Sequence, residues 1–138
     1  NPKRDMAITA LAGPVSNLLA ALAGALLFNL FFLVLRPFLP DAVLLLLEFF
    51  FQYYIGINVM LAVFNLIPLP PLDGSRILGA FLSDRALFKY YQNQRVIMIV
   101  LFALLFMGVL DVPLGILQMG AQSAISWLAA LPFRLFGF

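Results

Sequence analysis

With 138 residues, 64% of them hydrophobic and only 10% charged, and a mean hydropathy of +1.08, the chain is oilier than any soluble domain, since such domains hold roughly 45–50% apolar and about 25% charged residues. A net charge of +2 without a long basic cluster is too small to suggest nucleic-acid binding, and zero cysteines exclude disulfides and thiolate metal sites. The expectation is an all-α membrane protein, a single transmembrane domain over residues 1–138 with three or four transmembrane helices, because each crossing takes about 20 apolar residues.

The chain opens Asn1-Pro2 with no signal-like pattern, which suggests the later part of a longer protein. From Ala7 to Leu35 there is no charge, so one long helix is expected. Gly13-Pro14 sits near its start, and a membrane helix tolerates such a pair if neighbours satisfy the freed carbonyl. Ala12, Ser16, Ala20 and Gly24 recur every four residues, a stripe suited to close helix packing, with Asn17 beside it. Arg36 to Asp41 reads as a turn, because Pro37 and Pro40 discourage continuation. A second span is expected from Ala42 to Leu66, with Asn58 and Asn65 on nearly one face; amides at membrane depth need partners or a polar cavity.

Pro68, Pro70 and Pro71 then break the helix, and non-helical backbone at this depth must be buried in protein or line a wet cavity. The helix is expected to restart at Asp73. Ser83 to Arg95, with Arg85, Lys89, Arg95 and two tyrosines, suits a headgroup interface. A third span is expected over Val96–Leu110. The last apolar segment, Leu114–Leu131, is either a fourth span or an interfacial helix.

Lys3, Arg4, Arg76, Arg85, Lys89 and Arg95, six of the eight basic residues, fall on one side after two crossings, and Arg36 on the other. The positive-inside rule makes the shared side, with the N-terminus and residues 76–95, cytoplasmic. Asp73 then lies near the cytoplasmic end of span two.

Why a carboxylate stands among prolines there has two readings. It caps the restarting helix or pairs with Arg76, or it is a hard metal ligand held on a stiff loop. Local chemistry leaves both open. Ser16, Ser75, Ser83, Ser123 and Ser126 have no histidine to activate them, which argues against a serine hydrolase. An aspartyl dyad of Asp73 and Asp111 is rejected because the third span is expected to separate them.

"LAGPVSN" (Leu11 to Asn17) followed by "FNLIPLPPLDGSR" (Phe64 to Arg76) resembles the second half of the site-2 protease family of intramembrane zinc metalloproteases. The likeness is closest to the compact bacterial branch without inserted domains, and runs roughly from Asn1 to Leu110. The resemblance implies that Asp73 is the third zinc ligand and that Asn65, eight residues earlier, lies by the active centre as a catalytic amide able to donate to a developing oxyanion. It also implies Zn²⁺ as cofactor, a transmembrane peptide or protein as substrate, the lipid bilayer as surroundings, and a bacterial cell membrane as location. The family's His-Glu-x-x-His helix, which brings two zinc ligands and the general base, has no counterpart here: the chain has no histidine, and its one glutamate, Glu48, is expected on the opposite side from Asp73. These residues alone are therefore expected to be inactive, with an upstream helix bearing that motif as partner. The alternative is a non-catalytic membrane scaffold or binding protein derived from the same fold.

Overall fold

The computed structural model describes residues 2–135. Six α-helices follow one another: α1 (Pro2–Leu35), α2 (Asp41–Asn65), α3 (Asp73–Phe81), α4 (Asp84–Gln92), α5 (Gln94–Phe106) and α6 (Asp111–Leu135), with a single 3₁₀ turn at Arg36–Phe38. Among the described residues there is no strand.

Three helices are long and apolar enough to cross a membrane: Lys3–Phe38, Asp41–Asn65 and Asp111–Leu135. At 1.5 Å per residue, the 25 residues of α2 or α6 extend about 38 Å, enough for a hydrocarbon core of roughly 30 Å. The 13 residues of α5 reach only about 20 Å. This corrects the expected third span over Val96–Leu110. The ends of the intervening segment agree: Phe64 near the end of α2, Leu105 on α5, and Asp111 and Leu114 at the start of α6 line one cleft. The chain thus leaves and re-enters the bundle at the same end, and the third helix long and apolar enough to cross is α6, over the segment expected either to span or to lie at the interface.

The bundle closes on six buried residues, two per long helix: Ala21 and Ala25, Ile55 and Val59, Ile125 and Ala129. Alanines on α1 let the branched side chains of α2 and α6 approach, the arrangement that works where no hydrophobic force separates helix from lipid. Gly24 extends this closeness, since a Cβ there would lie 2.7 Å from the Tyr54 ring. The packing face of α1 is therefore Ala10, Pro14, Ala21, Gly24 and Ala25. Of the expected stripe only Gly24 is buried; Ala12 and Ser16 are exposed, because the register is set by what α2, α3 and α6 press against, not by side-chain size alone.

Two amides join helices across the bundle. Asn29 Nδ2 donates to the Ala129 carbonyl at 3.1 Å, and Gln118 Nε2 to the Gly56 carbonyl at 3.5 Å. Asn58, expected to need a partner or a polar cavity, donates to the Tyr54 carbonyl of its own helix at 2.9 Å. α3 packs along the first half of α1, and its far end is tied down by Lys3, whose Nζ donates to the Leu82 carbonyl (2.9 Å) and pairs with Asp84 (2.6 Å).

Candidate metal-ligand site at the proline break

Residues 66–72, between α2 and α3, carry three prolines, so four backbone N–H groups remain, and every one is bonded locally. Leu66 N donates to Ala62 O (3.1 Å), Ile67 N to Phe64 O (3.1 Å), Leu69 N to Ile67 O (2.8 Å) and Leu72 N to Leu69 O (3.0 Å). An unpaired donor in hydrocarbon costs several kcal/mol, and the prolines remove three that a seven-residue break would otherwise expose. The break therefore has no backbone donor left over. The Pro70–Pro71 peptide is cis, and Pro70 is buried.

The loop is anchored from two sides. The Tyr90 hydroxyl of α4 donates to the Pro68 carbonyl at 2.8 Å. Burial holds that phenol above its usual pKa, with Tyr91 adding to the rise and a hydrogen bond with Ser75 opposing it. Ser75, buried in the first turn of α3, donates its hydroxyl to the Leu72 carbonyl at 2.7 Å, and its N–H reaches the same oxygen at 3.1 Å. Gly74 lies directly on the loop: a Cβ there would collide with the Leu66 and Ile67 carbonyl oxygens. Only glycine permits α3 to begin so close to the end of α2.

Asn65 and Asp73 bracket this break, as the last residue of α2 and the first of α3, both half-buried. The capping reading is corrected: Leu72 is the cap residue, and no side chain caps α3. Among the described residues the Asp73 carboxylate takes neither a hydrogen bond nor an ion pair, with Arg76 or any other group. Instead it lies against α1 at Gly13, where a Cβ would stand 2.9 Å from Oδ2. The Gly-Pro pair thus has two jobs. Pro14 is fully buried in the contact face, and Gly13 leaves the space the carboxylate fills. Sequence reasoning missed this pairing; the glycine was visible, but its partner is 60 residues away.

The expected separation of Asp73 from Asp111 is also corrected, because Asp111 sits at the Phe64 end of the bundle. The dyad still fails on different ground. Asp111 lies against Gly108, Asp73 lies against Gly13, and no hydrogen bond joins the two carboxylates. Among the described residues no three His, Cys, Asp or Glu side chains gather as a metal site. Tested against a catalytic zinc, which takes three protein ligands and leaves one position open, Asp73 fits as one oxygen donor: hard, half-buried, free of competing hydrogen bonds and held on stiff backbone.

A polytopic all-α membrane protein with a proline-broken second span and an unbonded aspartate at the helix restart defines the class. The model of peptidase family M50 matches residues 40–108, half of the chain, which holds both Asn65 and Asp73. The chain belongs to this family, the site-2 protease family of zinc metalloproteases. It is 42% identical over 77 residues to "Putative zinc metalloprotease YwhC" of Bacillus subtilis, a match covering 56% of this chain and 35% of that protein. It is 39% identical over 74 residues to "Putative zinc metalloprotease MJ0611" of Methanocaldococcus jannaschii, covering 50% of this chain and 31% of the relative. The chain spans about a third of the length of these curated relatives. No solved structure matches it.

Proposed function

We infer that these residues form part of the catalytic core of an intramembrane zinc metalloprotease that hydrolyses peptide bonds of membrane-embedded substrates, with Asp73 as the third zinc ligand. The observation that carries this reading is the carboxylate itself. A buried or half-buried acid is ordinarily paired or hydrogen-bonded; this one is neither, yet α1 gives up a side chain at Gly13 to make room for it. Zinc, when bound, supplies Lewis acidity and an activated water to such a site. Its remaining ligands and the general base come from a His-Glu-x-x-His helix outside these 138 residues, so this segment by itself is inactive. Asn65, at the other lip of the break, holds the amide that orients or stabilises the peptide oxygen; loss of one such donor costs about 10²–10³ in turnover in other hydrolases.

The sidedness follows from the same elements. With three crossings, Lys3, Arg4, Arg76, Arg85, Lys89 and Arg95 share one end of the bundle, and Arg36 and Arg134 the other. The first end is cytoplasmic by the positive-inside rule, so the site opens toward the cytoplasmic half of a bacterial cell membrane.

The test is metal analysis of the complete protein. Asp73→Asn should insert and fold normally yet lose both zinc and proteolysis, and Asn65→Ala should keep its zinc while turnover falls. Wild-type zinc in Asp73→Asn would refute the ligand role, and would leave the scaffold reading, a membrane protein whose polar break binds a partner helix, as the better account.

A further inference from the structure

The end of the bundle away from Asp73 holds a second polar feature that proteolysis does not use. A cleft of about 430 Å³ opens between the C-terminal ends of α1 and α6, lined by Phe32, Leu33 and Phe133, by Asn29 and by the exposed Arg36 and Arg134. Among the described residues the cleft lining contains no acidic side chain. Among the described residues neither guanidinium has an ion pair or hydrogen bond.

Each arginine has a plain reason to be near a helix C-terminus, where a cation offsets the dipole. That reason does not require both to line one cavity. Like charges converging on an apolar cleft repel each other, and the repulsion reverses only if an anion lies between them. The position adds a second constraint. Both arginines stand at the ends of helices long and apolar enough to cross a membrane, and an arginine at such an end reaches out from the apolar layer toward the headgroups. Size adds a third: the cleft equals about fourteen waters at roughly 30 Å³ each, far more than a bare phosphate needs, and its aromatic lining offers nothing to a free ion.

The geometry points to a binding site for an anionic phospholipid, with the phosphodiester between Arg36 and Arg134 and the start of an acyl chain on Phe32, Leu33 and Phe133. Such a lipid joins α1 to α6 at the end where Asn29 and the Ala129 carbonyl already make a cross-helix bond. Fork-shaped guanidinium donors match phosphate oxygens in pairs, so the site reads charge and phosphate geometry together.

The test uses the complete protein, delipidated in neutral detergent. Binding of phosphatidylglycerol, phosphatidylcholine and inorganic phosphate is measured by native mass spectrometry and by the shift in unfolding temperature. At about fivefold per basic side chain, phosphatidylglycerol should bind about 25-fold more tightly than phosphatidylcholine. That preference should vanish in Arg36→Gln/Arg134→Gln and be kept only in part by the double lysine variant, which retains the charge but not the paired donors. Should the glutamine pair fail to fold, Arg134→Gln alone should lose about fivefold of the preference. Equal binding of the two lipids would overturn the proposal. So would inorganic phosphate stabilising the protein as well as phosphatidylglycerol does, which would mark a free-anion site. A cysteine at Arg134 that stays unlabelled in delipidated protein would also overturn it, because another protein segment would then cover the cleft.

Discussion

The contact between Gly13 and Asp73 separates stability from function in a single substitution. In Gly13→Ala the new methyl stands 2.9 Å from Asp73 Oδ2, whereas ordinary contact begins at 3.4 Å. The carboxylate must therefore retreat by about 0.5 Å, more than twice the roughly 0.2 Å tolerance of a metal–ligand bond. The stability cost is small, because what yields is the free end of a side chain. A rotamer displaced this way costs about 0.5–1.5 kcal/mol, and replacing glycine by alanine inside a helix returns about 0.5–1 kcal/mol. The two nearly cancel. Metal affinity has no such compensation, and misplaced ligand geometry typically costs 10–100-fold. In the complete protein, Gly13→Ala should unfold in detergent at the wild-type temperature while surrendering zinc to a chelator at 10–100-fold lower concentration. A variant that holds zinc and cleaves substrate as the wild type does would refute the reasoning, since it would show that the oxygen facing Gly13 does not touch the metal.

Gly74→Ala should behave in the opposite way. Its Cβ would meet backbone oxygens of Leu66 and Ile67, which cannot rotate aside; overpacking of this kind costs about 1–3 kcal/mol or more, so thermal unfolding in detergent should show a clear loss of stability together with loss of zinc. The Lys3–Asp84 pair should make docking of α4 on α1 pH-dependent: the Lys3 hydrogen bond, and then its charge, hold the Asp84 carboxyl below its usual value, so the stabilisation is complete above the unfolded pKa of about 3.9 and is lost as pH falls through the lower folded-state value. Lys3→Gln should remove that dependence, and an unchanged acid limb in hydrogen-exchange protection of α4 would count against it. A cysteine placed at Lys89 should react with a label applied from the cytoplasm; reaction only from outside would reverse the proposed sidedness.

Composition determined that this chain lies in a membrane, because a chain 64% hydrophobic and 10% charged cannot keep a solvated surface, and uncharged runs of about 20 residues or more made its spans helices. The position of the break was equally legible: three prolines within four residues stop any helix, and Asp73 and Asn65 stood out beside it through their likeness to a family pattern. The number and identity of the crossings were less so. Val96–Leu110 and Leu114–Leu131 are both apolar, and only the tertiary structure separates them: α5 is too short to cross, whereas α6 is long enough and packs on α1 and α2. The tertiary structure also decided what Asp73 touches. Capping and pairing with Arg76 were local options, readable within three residues; contact with Gly13 depends on how α3 lies along α1, a distance of 60 residues that no periodicity encodes. Local pattern sets where helices start and break, whereas which face of a helix is buried and which residues pair across helices follow from the one packing that buries all the faces at once.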